Sequence, residues 1–315
     1  MASVTDDADT HPNHAAASVL HTPELLEECL SYISMPDLAT VAQTSHHLGS
    51  SAREAARVRW NDTLRKWVRD PNGLRSIMRR TGSIVSGSAA LAYAMSRTPW
   101  MARWMPQDLD IYCPLTAGEA IIQYLVDSEE YEVKVPNTLD AGTNSFMEYH
   151  GGISAVVHLN RGTLSVDVIC SSTPSPTFPL PSFWGTLVVN YVTADQLVVV
   201  YPRLTFEGMG CVNPVRAGQL ASAYVVMKYH QRGFVIRLFD QFNTRCRPGL
   251  GEENMLCPHT MRRFVDGGCF VMPFSRQVDQ APGLGQLTTF WRYGGPPCGG
   301  SCMRDTTNRI GLDIV

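Results

Sequence analysis

A chain of 315 residues and 34.8 kDa is long for one domain; its 44% hydrophobic residues suffice for a large core, and 17% charged residues are too few for a disordered or coiled-coil protein. The formal net charge of -3 gives no global attraction to nucleic acid or to an anionic membrane, so any polyanion site must be local. Nine cysteines without a regular framework read as free thiols in a reducing compartment, which predicts an intracellular protein, cytoplasmic or nuclear. No stretch reaches the roughly 18 apolar residues of a membrane span, so no membrane partner is expected. Residues 1–21 have neither a basic start nor an apolar run and read as a disordered tail rather than a signal peptide.

From Thr22 the pattern turns helical. Thr22-Pro23-Glu24 is a helix start, and Leu26, Cys29, Leu30 and Ile33 recur at three- and four-residue spacing. Met35-Pro36-Asp37 breaks that helix and begins another carrying Leu38, Val41 and Ala42, and a third amphipathic run extends from Ser50 to Val68. In Thr22-Pro23-Glu24-Leu25-Leu26, Ile33-Ser34-Met35-Pro36-Asp37-Leu38 and Val41-Ala42-Gln43-Thr44-Ser45 this segment, 22–70, resembles an F-box. The resemblance implies docking on the Skp-type adaptor of a cullin ubiquitin ligase through Leu25, Leu26, Leu30, Ile33 and Leu38, which should then stay partly exposed around an apolar centre. The plainer alternative is a helical cap packed on the main domain.

Between Arg53 and Arg80 the basic residues outnumber the acidic ones, which predicts either a strip for nucleic-acid phosphates or, more simply, the wet face of a helix. Pro71-Asn72-Gly73 reads as a turn and marks a domain boundary. Beyond it, Leu74 to Arg80 is helix-like, and Ser83-Ile84-Val85 is a strand ending in Ser86-Gly87-Ser88, with the helix-forming run Ala89 to Ala94 behind it. Such a Gly-Ser turn offers backbone N–H groups, a hydroxyl and a positive helix end to an anion.

Asp108-Leu109-Asp110-Ile111-Tyr112-Cys113 alternates as a strand, so Asp108 and Asp110 share a face. Adjacent carboxylates repel, and a hard cation relieves them. A second strand, Thr163 to Ile169, carries Asp167 in an apolar run, where an unpaired charge is costly. Gly87-Ser88, Asp108-Leu109-Asp110 and Val166-Asp167-Val168, in that order, resemble the polymerase-beta type of nucleotidyltransferase. The resemblance implies that Gly87 and Ser88 hold a nucleoside triphosphate, and that Asp108, Asp110 and Asp167 bind two magnesium or manganese ions. Asp167 would help activate an incoming hydroxyl. Two features depart from that family's pattern: Ser86 stands where a hydrophobic residue is usual, and the stretch from Ser88 to Asp108 is long and holds Trp100, Arg103 and Trp104, which suit either base stacking or core packing.

Further on, Ala117 to Val126 is predicted helical, and Tyr131 to Val135, Ser145 to Tyr149, Ile153 to Leu159, Leu187 to Tyr191 and Gln196 to Tyr201 as strands. A helix is predicted from Pro214 to Gln231 with Gly233 as its stop, its terminal Lys228, His230 and Arg232 complementing the helix dipole or reaching a phosphate. The glycine- and proline-rich residues 248–315 are expected to form loops, with Cys257, His259, Cys298 and Cys302 as a weak zinc pattern. The class predicted is α+β: a small helical module, then a mixed-sheet domain with flanking helices over 74–247. The function expected is transfer of a nucleotidyl group from a nucleoside triphosphate to a hydroxyl; the alternative is a non-catalytic ubiquitin-ligase adaptor on the same fold.

Overall fold

Serine hydroxyls start two of the N-terminal helices. Ser34 Oγ accepts from the Asp37 amide and Ser45 Oγ from the Leu48 amide, each satisfying one of the N–H groups that a helix start leaves open. The computed structural model describes residues 19–99, 104–134, 152–218, 220–239, 256–276, 287–293 and 309–314. Within them α1 (Pro23–Tyr32), α2 (Met35–Val41) and α3 (His46–Leu64) precede α4 (Pro71–Thr81). The expected turn at Pro71-Asn72-Gly73 is instead the first turn of α4. Asp70 caps it through the Asn72 amide, and Pro71, lacking a donor, sits where none is needed.

β1 (Ile84–Ser86) runs directly into α5 (Gly87–Ala94), followed by β2 (Asp108–Cys113), α6 (Gly118–Asp127), β3 (Glu132–Val133), β4 (Ile153–Arg161) and β5 (Leu164–Ser171). The expected strand at Leu187 to Tyr191 is a helical turn over Thr186–Val188 that joins the sheet only at β6 (Tyr191–Val192), and β7 (Gln196–Val199) follows as predicted. Pro202 then opens the short α7 (Pro202–Phe206), ahead of β8 (Met209–Cys211). α8 (Leu220–Gln231) starts later than predicted. Asn213 Oδ1 accepts from the Val215 amide and turns the chain there, and Gly233, at φ +94°, sits beyond the helix end. β9 (Val235–Arg237) pairs with β8. The predicted strand at Ser145 to Tyr149 lies outside the described residues.

Residues 248–315 hold more regular structure than their composition suggested. β10 (Arg262–Arg263), β12 (Leu287–Arg292) and β13 (Arg309–Ile314) form an antiparallel sheet, and β11 (Phe270–Pro273) adds to the main sheet alongside β7. The main sheet has eight strands in the order β11-β7-β6-β1-β2-β5-β4-β3; within it β2 and β5 are parallel and the other pairs antiparallel.

The period of two along a strand divides the core. Leu109, Ile111, Cys113, Val166, Val168 and Cys170 face the helices and merge into one cluster with Leu38, Trp60, Leu64, Trp67, Leu74 and Ile121. Tyr112 and Ile169 face the other way, with Tyr201, Phe264 and Trp291. The N-terminal helices and the sheet therefore share a single core. This corrects the exposure expected of the adaptor-docking leucines: Leu26, Leu30 and Leu38 are buried, Ile33 is partly buried against them, and Leu25 is exposed. The spacing serves the cap, because Leu26, Leu30 and Leu38 join the same cluster as Trp60 of α3 and Leu109 of the sheet. Arg59 fixes α1 further by donating to the Leu30 and Ser31 carbonyls.

Leu38→Ala is expected to cost about 2–5 kcal/mol of unfolding free energy, and Leu25→Ala to fall within about 0.5 kcal/mol of wild type. Urea denaturation of the two variants measures both.

Candidate active site

The in-register pairing of β2 and β5 sets Asp110 directly beside Asp167, and Asp108 lies on the same face two residues earlier. On the other side of β2, antiparallel β1 places Ser86 opposite Asp110. The chain then turns at Gly87 with φ +67°, a conformation that side chains resist, and a Cβ there would lie 2.3 Å from Asp110 Oδ2. Two independent constraints thus demand glycine. Ser88, the next residue, is buried and donates its hydroxyl to Asp108 Oδ1 at 3.3 Å. Ser86 is buried as well; its hydroxyl lies 2.7 Å from the Asn190 carbonyl and 3.2 Å from that of Val188 and ties the turn to the 186–190 segment, which accounts for a hydroxyl at that position.

The structure therefore brings together every residue predicted for the nucleotide site: Gly87, Ser88, Asp108, Asp110 and Asp167. The electrostatics follow from the crowding. Burial, then the Asp108 charge and then the Asp167 charge push the Asp110 carboxyl well above the usual carboxylate range, against a smaller pull from Lys228. Oxygen donors are what a hard divalent cation takes, and the repulsion among these carboxylates is the charge excess such a cation would relieve. Among the described residues no group of three or more His, Cys, Asp or Glu side chains stands at metal-holding geometry. Asp108 accepts from Ser88, and Asp167 Oδ1 lies 2.7 Å from His158 Nδ1.

Three further side chains stand at the site; His158 and Lys66 were not assigned to it from the sequence, and Lys228 was one of three basic residues expected to reach a phosphate or complement the helix dipole. His158 faces Asp167 across the β4–β5 hairpin, as cross-strand partner and at hydrogen-bond distance. Lys228 reaches the field of Asp110 from α8. Lys66 lies over the Trp67 ring, donates to the Pro106 carbonyl and feels the Asp108 charge. The α3–α4 connection of the helical cap thereby supplies a cation next to the site.

The two alternatives for the Trp104 region resolve toward packing. Trp104 is buried against Phe234, and the Arg232 guanidinium lies 4.5 Å from its ring and 4.8 Å from that of Tyr229. Trp100 and Arg103 lie outside the described residues. Part of the basic run is tied inward, where Arg75 donates to the Ala194 carbonyl and Arg79 binds Asp195, while Arg57, Arg65 and Arg69 pair with Glu54, Asp62 and Glu130 on the surface. Of the zinc pattern, Cys257 and His259 are buried, while Cys298 and Cys302 lie outside the described residues.

Among the described residues no helix is long and apolar enough to cross a membrane. Comparison of the chain with protein-family models, curated proteins and solved structures gave no match.

With its folded-state pKa above the unfolded value, Asp110 costs stability that grows as pH rises between the two values and is absent below the unfolded one, about 4. Asp110→Asn is therefore expected to raise Tm at pH 7 by about 2 °C, the equivalent of about 1 kcal/mol in a chain of this size. The gain should vanish near pH 4, and calorimetric scans at the two pH values measure it.

Proposed function

We propose that the protein is a metal-dependent nucleotidyltransferase that moves a nucleotidyl group from a nucleoside triphosphate to an acceptor hydroxyl. The observation that supports this reading most is the meeting of Asp108, Asp110 and Asp167 beside the Gly87-Ser88 turn. In this reading the three carboxylates hold magnesium or manganese, which when bound neutralises phosphate charge and polarises the attacked phosphorus. The Gly87-Ser88 turn at the start of α5 presents amides and a hydroxyl to the phosphates, and Lys228 near Asp110 and Lys66 near Asp108 add positive charge. The acceptor oxygen attacks the α-phosphorus, its bond to pyrophosphate breaks, and Asp167 takes the hydroxyl proton. His158, hydrogen-bonded to the same carboxylate, orients it.

Calorimetry of the purified full chain with a nucleoside triphosphate tests this. Binding is expected with magnesium and not without it, weakened at least about tenfold, about 1.4 kcal/mol, by the Asp108→Ala, Asp110→Ala double substitution. A folded protein that binds no triphosphate in either condition contradicts the reading.

A further inference from the structure

On the face of β2 and β5 opposite the carboxylates, Cys113 and Cys170 are direct partners in the same parallel register that pairs Asp110 with Asp167. Both are free thiols, and their sulfurs are 3.5 Å apart. A disulfide needs about 2.05 Å, with Cα atoms about 4.4–6.8 Å apart, a span that neighbouring strands at about 4.8 Å already meet. Closing the gap brings the sulfurs together by about 1.5 Å. The room is kept by Gly118, the first residue of α6, where a Cβ would sit 2.5 Å from Cys170 Sγ and 3.6 Å from Cys113 Sγ.

We propose that Cys113 and Cys170 are a modification site: a thiol pair that a small peroxide-class oxidant converts reversibly into a disulfide across β2 and β5. The two sulfurs are not equivalent. Cys170 keeps 8% of its surface exposed and Cys113 none, so the oxidant reaches Cys170 first. The Cys113 S–H has two acceptors, the Cys170 sulfur at 3.5 Å and the Ile169 carbonyl at 3.6 Å, and when donated to Cys170 it favours the Cys170 thiolate. The Cys170 thiolate attacks one peroxide oxygen and the O–O bond breaks; the departing hydroxide takes a proton and leaves as water, with a sulfenic acid on Cys170. The Cys113 sulfur then attacks Cys170, the S–O bond breaks, and a second water leaves with the Cys113 proton. Two electrons pass from the sulfurs to the peroxide. The new bond ties the strands three residues beyond Asp110 and Asp167, and so fixes the separation on which the carboxylate face depends.

Treating the full-length protein with hydrogen peroxide, alkylating under denaturing conditions and mapping the peptides by mass tests the proposal without any variant. The expected product is a peptide pair linking Cys113 to Cys170, lighter than its parts by two hydrogen atoms and restored by dithiothreitol. In Cys113→Ser, dimedone should label Cys170; in Cys170→Ser the link should be lost. Exposed Cys29 is the internal measure of oxidant dose. If Cys113 and Cys170 are both still alkylated at a dose that oxidises Cys29, or if Cys170 is linked to a different cysteine, the proposal is overturned. Neither outcome depends on nucleotide binding, so the thiol site and the nucleotide site stand or fall separately.

Discussion

The parallel, in-register pairing of β2 with β5 is the constraint on which the rest of the structure depends. A strand shows alternate residues to alternate faces, so this one register sends Asp108, Asp110 and Asp167 to one side and Leu109, Ile111, Val166 and Val168 to the other. A slip of β2 by a single residue would turn Asp108 and Asp110 toward the helices and Leu109 and Ile111 toward the carboxylate face. The helical side holds the register through its packing, and the carboxylate side bears the repulsion that results. Site and core are two readings of one alignment.

That division explains how the N-terminal helices relate to the site. They lie on the face opposite the carboxylates and share the core that fixes β2 and β5, with Trp60, Leu64 and Trp67 wholly buried. Hydrogen bonds reinforce the joint, for Tyr93 on α5 donates to the Ala56 carbonyl of α3, and Tyr131 beside β3 donates to the Trp67 carbonyl. Through Lys66 the same helices also bring a charge to Asp108. The cap supports the sheet mechanically and borders the site electrostatically.

Much of this was legible in the sequence. The boundaries of β2, the helix after Gly87 and the shared face of Asp108 and Asp110 follow from alternation and from glycine, because those signals are local. The pairing of His158 with Asp167 was also within reach: a two-residue turn at Gly162-Thr163 fixes the β4–β5 register and sets the two opposite each other. The fate of Leu26, Leu30 and Leu38 was not, since an apolar stripe reads the same whether it meets a partner protein or the chain's own sheet. Lys66 reaches the site by tertiary packing, which no spacing along the chain encodes, and the same packing is what singles out Lys228 from His230 and Arg232. The strands within 248–315 were hidden because glycine and proline content describes the turns and hides the ladders between them.

Asp108, Asp110 and Asp167, on neighbouring strands, are proposed to form one divalent-cation site. Crystals of the protein grown with manganese and measured at the manganese absorption edge test it most directly. The expected result is an anomalous peak bounded by Asp108, Asp110 and Asp167 and adjacent to the Gly87-Ser88 turn. A structure in which those carboxylates surround no manganese at saturating concentration, with Lys228 or Lys66 seated among them instead, would contradict it.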